Sequence, residues 1–87
     1  MAKRTQNPRT KKVETLYDIK RIAEEEGLVV NLCPVHRHAD VKHDALDMDS
    51  IAFLAPTESG GVKHDGICQE GVVAEDEASF RAWCAKQ

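Results

Sequence analysis

The sequence predicts a small α+β domain. Three observations carry that prediction: an amphipathic stretch with helical period behind a basic start, short β-branched runs punctuated by Pro and Gly through the middle, and a second amphipathic stretch at the end. With 87 residues there is room for one domain. The expected organisation is a flexible tail over 1–12 and a single domain over 13–87. That domain would comprise an N-terminal helix, an antiparallel sheet of about three strands and a C-terminal helix.

From Val13 the stretch "VETLYDIKRIAEEEG" sets Leu16, Ile19, Ile22 and Ala23 on one face, which predicts a helix over about 11–26 with Thr10 as N-cap. Gly27 suits the C′ position, where a left-handed backbone closes a helix, and Leu28 is placed to fold back on Ala23. "LVVNL" then reads as a strand ended by Pro34, which has no N–H to give a ladder. Residues 35–49 are polar enough to read mainly as a loop, with at most one helical turn near Ala45, Leu46 and Met48. "SIAFLA" is a second strand closed by Pro56, "TESGG" a turn, and "VKHDGICQEGVVA" a returning strand interrupted at Gly66 or Gly71. In "EDEASFRAWCAKQ", Asp76 can cap a final helix that docks through Phe80, Trp83 and Cys84. Phe80 and Trp83 therefore read as core, not as a base-stacking platform.

Charge is unevenly distributed. Residues 1–12 hold five basic side chains (Lys3, Arg4, Arg9, Lys11, Lys12) and no acid, which leaves 7 basic against 15 acidic side chains, a net of −8, over 13–87. A basic arm of this kind suits nucleic-acid phosphates, or is simply a solvated terminus. No apolar run approaches the ~20 residues that span a bilayer, so the expectation is a cytoplasmic protein with no membrane partner. Cys33, Cys68 and Cys84 are odd in number, which favours free thiols or metal ligands over a disulfide framework.

The densest chemistry lies in "CPVHRHADVKH", residues 33–43. Cys33 and His36 form a C-x2-H knuckle stiffened by Pro34, and after a gap of 27 residues His64 and Cys68 form an H-x3-C pair. Together they supply the four N and S donors that tetrahedral zinc requires, with His38 as a substitute for His36. A folded part of about 75 residues is also of a size that metal often stabilises. The competing reading packs Cys33 and Cys68 as small hydrophobes and leaves the histidines in solvent. His36-Arg-His38-Ala-Asp40 fits H-x-H-x-D and resembles the metal-binding motif of the metallo-β-lactamase superfamily, but over five residues only, in a chain too short for that site. "CPVHRH", "IAFLAP" and "GGVKHDGIC", in that order, resemble the zinc-binding segments of phage and plasmid primases and related replication proteins. That resemblance points to nucleic acid, although the aromatic and second-cysteine positions near the closing pair are missing.

No isolated carboxylate pair or glycine-rich phosphate loop argues for catalysis, so a non-enzyme is expected. One functional expectation is a zinc-binding module that contacts nucleic acid, or a nucleoprotein partner, through its basic tail. The other is a metal-free acidic module, an inhibitor or regulator of a nucleic-acid-binding protein, as small phage or mobile-element proteins often are. Asp40, Asp44, Asp47 and Asp49 would form its partner surface.

Overall fold

A computed structural model describes residues 11–33, 35–66 and 69–87. Its elements run α1 (Leu16–Glu25), β1 (Val29–Cys33), β2 (His38–Lys42), β3 (Ala52–Pro56), β4 (Val62–His64), β5 (Val72–Ala74) and α2 (Glu77–Ala85). The α+β class is as expected, but the sheet has five strands where the sequence suggested about three. Each strand pairs antiparallel with the next, so spatial order equals chain order.

Helix α1 starts at Leu16, five residues later than the periodicity suggested. Thr15 and Asp18 explain the boundary: the Thr15 hydroxyl accepts from the Asp18 backbone N–H, and the Asp18 carboxylate accepts from the Thr15 N–H, a reciprocal capping box. Val13, upstream of that cap, is fully buried and donates its N–H to the Gly60 carbonyl at 2.7 Å. The proposed cap Thr10 lies outside the described residues. At the other end Gly27 has φ +93°, and the Gly27 and Leu28 N–H groups bond the Glu24 and Ala23 carbonyls, the Schellman pattern expected from the sequence.

The segment expected to be mainly loop contains β2. Its burial alternates, with Ala39 and Val41 inside and His38, Asp40 and Lys42 only half-buried. Pairing with β1 and β3 thus overrides the polar composition. The single returning strand is two, β4 and β5, with a register shift between Val62 and Lys63. Asp76 caps α2 through the Ser79 N–H, as expected.

Residues paired across antiparallel strands share a face, and the register sorts the sheet accordingly. Val30, Ala39, Val41, Ala52, Leu54, Val62 and Ala74 face the helices and form one core with Ile19, Ile22, Ala23, Phe80 and Cys84. Arg81 of α2 ties the two helices together, reaching Glu25 at 2.6 Å, Glu77 at 2.8 Å and Glu26 at 3.1 Å. Asn31, Cys33, His38, Asp40, Phe53 and Lys63 stand on the opposite face, against which neither helix packs.

Candidate metal centre

The β1–β2 hairpin builds the site. Cys33 closes β1 and pairs with His38, the first residue of β2, so both side chains rise from the uncovered face. The turn between them is held by the Arg37 N–H donating to the Cys33 carbonyl at 2.8 Å, with Arg37 in the left-handed region at φ +55°. Few non-glycine residues adopt that backbone, and here it brings His36 back over the strand ends. The His36 Nδ1 lies 3.3 Å from Cys33 Sγ, and the His36 and His38 rings stack at 5.5 Å. One ligand atom each from Cys33, His36 and His38 lies within 4.8 Å of the other two.

Donors bound to one tetrahedral zinc stand roughly 3.3–3.8 Å apart, given Zn–N and Zn–S bonds near 2.0–2.3 Å. The 4.8 Å bound is wider than that spacing, so the three donors stand near one another but not yet all at ligating separations. One thiol and two imidazoles also form a donor set that suits zinc. His38 has further support, because its Nδ1 lies 3.4 Å from Asp65 Oδ2 and its ring meets Phe53 at 4.8 Å. With Nδ1 on a carboxylate, Nε2 is the nitrogen left for a metal, the arrangement in which an outer carboxylate orients a ligating histidine.

The structure brings together part of the sequence-derived ligand set. Cys33 and His36 converge, and the third donor is His38, the substitute. His64 pairs with Leu54, whose side chain is fully buried on the helix face, so it stands across the sheet from Cys33 and His38. Its Nδ1 is buried without a hydrogen-bond partner among the described residues. Cys68 lies outside the described residues.

Of the basic tail, Lys3, Arg4 and Arg9 lie outside the described residues, while Lys11 and Lys12 are exposed where the tail joins the fold. The Lys11 carbonyl accepts from the Glu77 N–H at 3.0 Å, and the Lys12 side chain lies over Gly60. The acids of the alternative surface are partly engaged. Asp40 accepts from the Ser50 hydroxyl, while Asp44 and Asp47 accept from backbone N–H groups of their own loop. Asp49 is exposed.

Asp65 and Phe53 were not singled out from the sequence as site residues. Their signal is pairing, with Asp65 N–H bonded to the Phe53 carbonyl at 2.7 Å, which lies outside any local motif. Beside the centre a cleft of about 910 Å³ runs along the uncovered face, lined by His36, His38, Ser50, Phe53, Asp65 and Gln69 among others. No protein-family model, curated protein or solved structure matches the chain. The likeness to primase zinc segments therefore rests on its three sequence fragments.

Proposed function

We propose that this is a small non-enzymatic zinc-binding module that contacts nucleic acid, or a nucleoprotein partner, through its basic N-terminal residues. The observation that supports it is the convergence of Cys33, His36 and His38 donor atoms within 4.8 Å of one another on an uncovered sheet face. Cys68 remains the sequence-derived candidate for the fourth donor. The nucleic-acid part rests on the five basic residues and no acid of 1–12. Native mass spectrometry of purified protein is expected to give one zinc per chain, lost in Cys33→Ser and retained on deletion of 1–10. That deletion, which removes Lys3, Arg4 and Arg9, should weaken binding to DNA or RNA and reduce its salt dependence. A metal-free protein whose melting temperature is unchanged by chelator would refute the zinc assignment.

A second reading draws on the loop 43–50, where Leu46 and Met48 are 89% and 94% exposed beside Asp44, Asp47 and Asp49. An exposed apolar pair among carboxylates suits a basic protein surface, which makes the chain a metal-free inhibitor or regulator of a nucleic-acid-binding protein. In that case capture of the basic partner survives deletion of 1–10. Charge reversal at Asp44, Asp47 and Asp49 should abolish it, and unimpaired capture would discard this reading.

A further inference from the structure

Phe53 is 36% exposed, on the face that neither helix covers, and directly opposite Asp40 in the β2–β3 register. Its ring continues a row begun by His36 and His38, with centroids 5.5 Å and then 4.8 Å apart. His38 meets it at a tilt of 50°, and the partly exposed Phe53 ring lines the cleft. Gly66 lies against the same ring: a Cβ there would meet Phe53 Cδ2 at 3.5 Å and Phe53 Cβ at 3.8 Å, so a larger side chain would crowd the ring from that side. The cleft, about 910 Å³, is within the range of ligand-binding sites, and its aromatic floor has a sparse polar rim of Ser50, Asp65 and Gln69.

The charges of this face favour a polyanion despite the acidic body. Asp40, which accepts from the Ser50 hydroxyl, and Asp65, 3.4 Å from His38, remain carboxylates, two against the three cations Arg37, Lys42 and Lys63. Arg37 in the hairpin turn, with Lys42 and Lys63 on the same face, makes no ion pair among the described residues. Aromatic rings bordered by cations on an open sheet match what an unpaired nucleic-acid strand needs, stacking for its bases and countercharge for its phosphates.

Resting on the nucleic-acid reading above, we propose that this cleft binds single-stranded nucleic acid, with a base stacked on Phe53 beside the metal centre. Asp65 adds selectivity. One carboxylate oxygen meets His38, and the other has no hydrogen-bond partner among the described residues. A free carboxylate oxygen accepts from the exocyclic amino group of cytosine and repels the carbonyl oxygen that thymine presents at the same position.

The test uses the full, zinc-loaded chain and fluorescence anisotropy with labelled cytosine and thymine homopolymer strands at fixed salt. The cytosine strand is expected to bind roughly fivefold or more tightly than the thymine strand. Phe53→Ala, compared with wild type as zinc-saturated protein, should weaken cytosine-strand binding by about fivefold to a hundredfold. Gly66→Val, which crowds the ring without removing it and sits where the backbone is not left-handed, should do the same. Phe53→Trp should retain affinity, so loss there as well as in Phe53→Ala overturns the stacking role. If the wild-type chain binds strands but both Phe53→Ala and Gly66→Val leave affinity unchanged, the tail alone holds the strand and the cleft proposal is wrong. If the wild-type chain binds neither strand, the nucleic-acid reading itself falls. A wild-type chain that binds only a basic protein transfers the surface to the inhibitor reading.

Discussion

The two faces of the sheet are built from the same five strands and use their residues differently. The helix-covered face takes Val30, Ala39, Val41, Leu54 and Val62 and surrounds Phe80, which is wholly buried. The other face takes Cys33, His38, Asp40 and Phe53, residues with donor atoms or rings, and leaves them reachable. A period of two assigns alternate residues of one strand to both tasks. In β2, Ala39 and Val41 hold the fold while His38 and Asp40 face the cleft side. Stability and chemistry are thus separable by substitution within a single strand.

The sharpest break in that comparison uses one residue type on each side. Phe80→Ala removes a fully buried ring and should cost about 3–5 kcal/mol in urea unfolding, while Phe53→Ala should cost on the order of 1 kcal/mol. Equal losses would mean that the uncovered face is also core. Next, Asp65→Ala should leave the melting curve nearly unchanged yet weaken zinc binding by about tenfold to a hundredfold in a chelator competition, because His38 loses its orienting carboxylate. The thiols offer a third contrast. Burial pushes the Cys84 thiol up to about 12, so alkylation at neutral pH should be roughly tenfold or more slower there than at half-buried Cys33, and zinc should protect Cys33 while leaving the Cys84 rate unchanged.

On the covered side, Thr15→Ala removes one half of the capping box and should cost about 1 kcal/mol with zinc affinity unaltered. The smallest effect concerns acid. Asp76 is held below its ordinary value of 3.8 chiefly by the Ser79 backbone N–H, so it ionises more readily folded than unfolded. Its contribution is complete above the unfolded value and lost as pH falls through the lower folded one. Asp76→Asn keeps a capping oxygen without a titrating proton and should flatten that part of an acid titration followed by circular dichroism. An unchanged profile would move the acid sensitivity elsewhere.

The elements whose signals are local were legible in the sequence. Gly27 after a helical period, Asp76 ahead of another, and β-branched runs between prolines each announce a boundary within a few residues. Helix α1 was placed too early because its apolar period continues back to Val13, whereas Thr15 and Asp18 together decide the start. Strand β2 was hidden because half of it is polar and its two inward residues are small. Its identity as a strand comes from neighbours on both sides. The site divides along the same line. Cys33 and His36 were found because a knuckle is a local motif. The placing of His38 as third donor, Asp65 behind it and His64 across the sheet follows from strand parity, which spacing along the chain does not encode.

The strand order also bears on how the molecule comes to its native state. Because every strand pairs with its neighbour in the chain, the sheet can grow by successive short-range steps, with no distant segment to be searched for. Cys33, His36 and His38 all belong to the first hairpin, and an isolated hairpin closes in about 1–10 μs. These three side chains therefore depend on contacts of short sequence separation. On the zinc reading proposed above, three of the candidate ligands sit within residues 33–38, so a single turn governs their spacing.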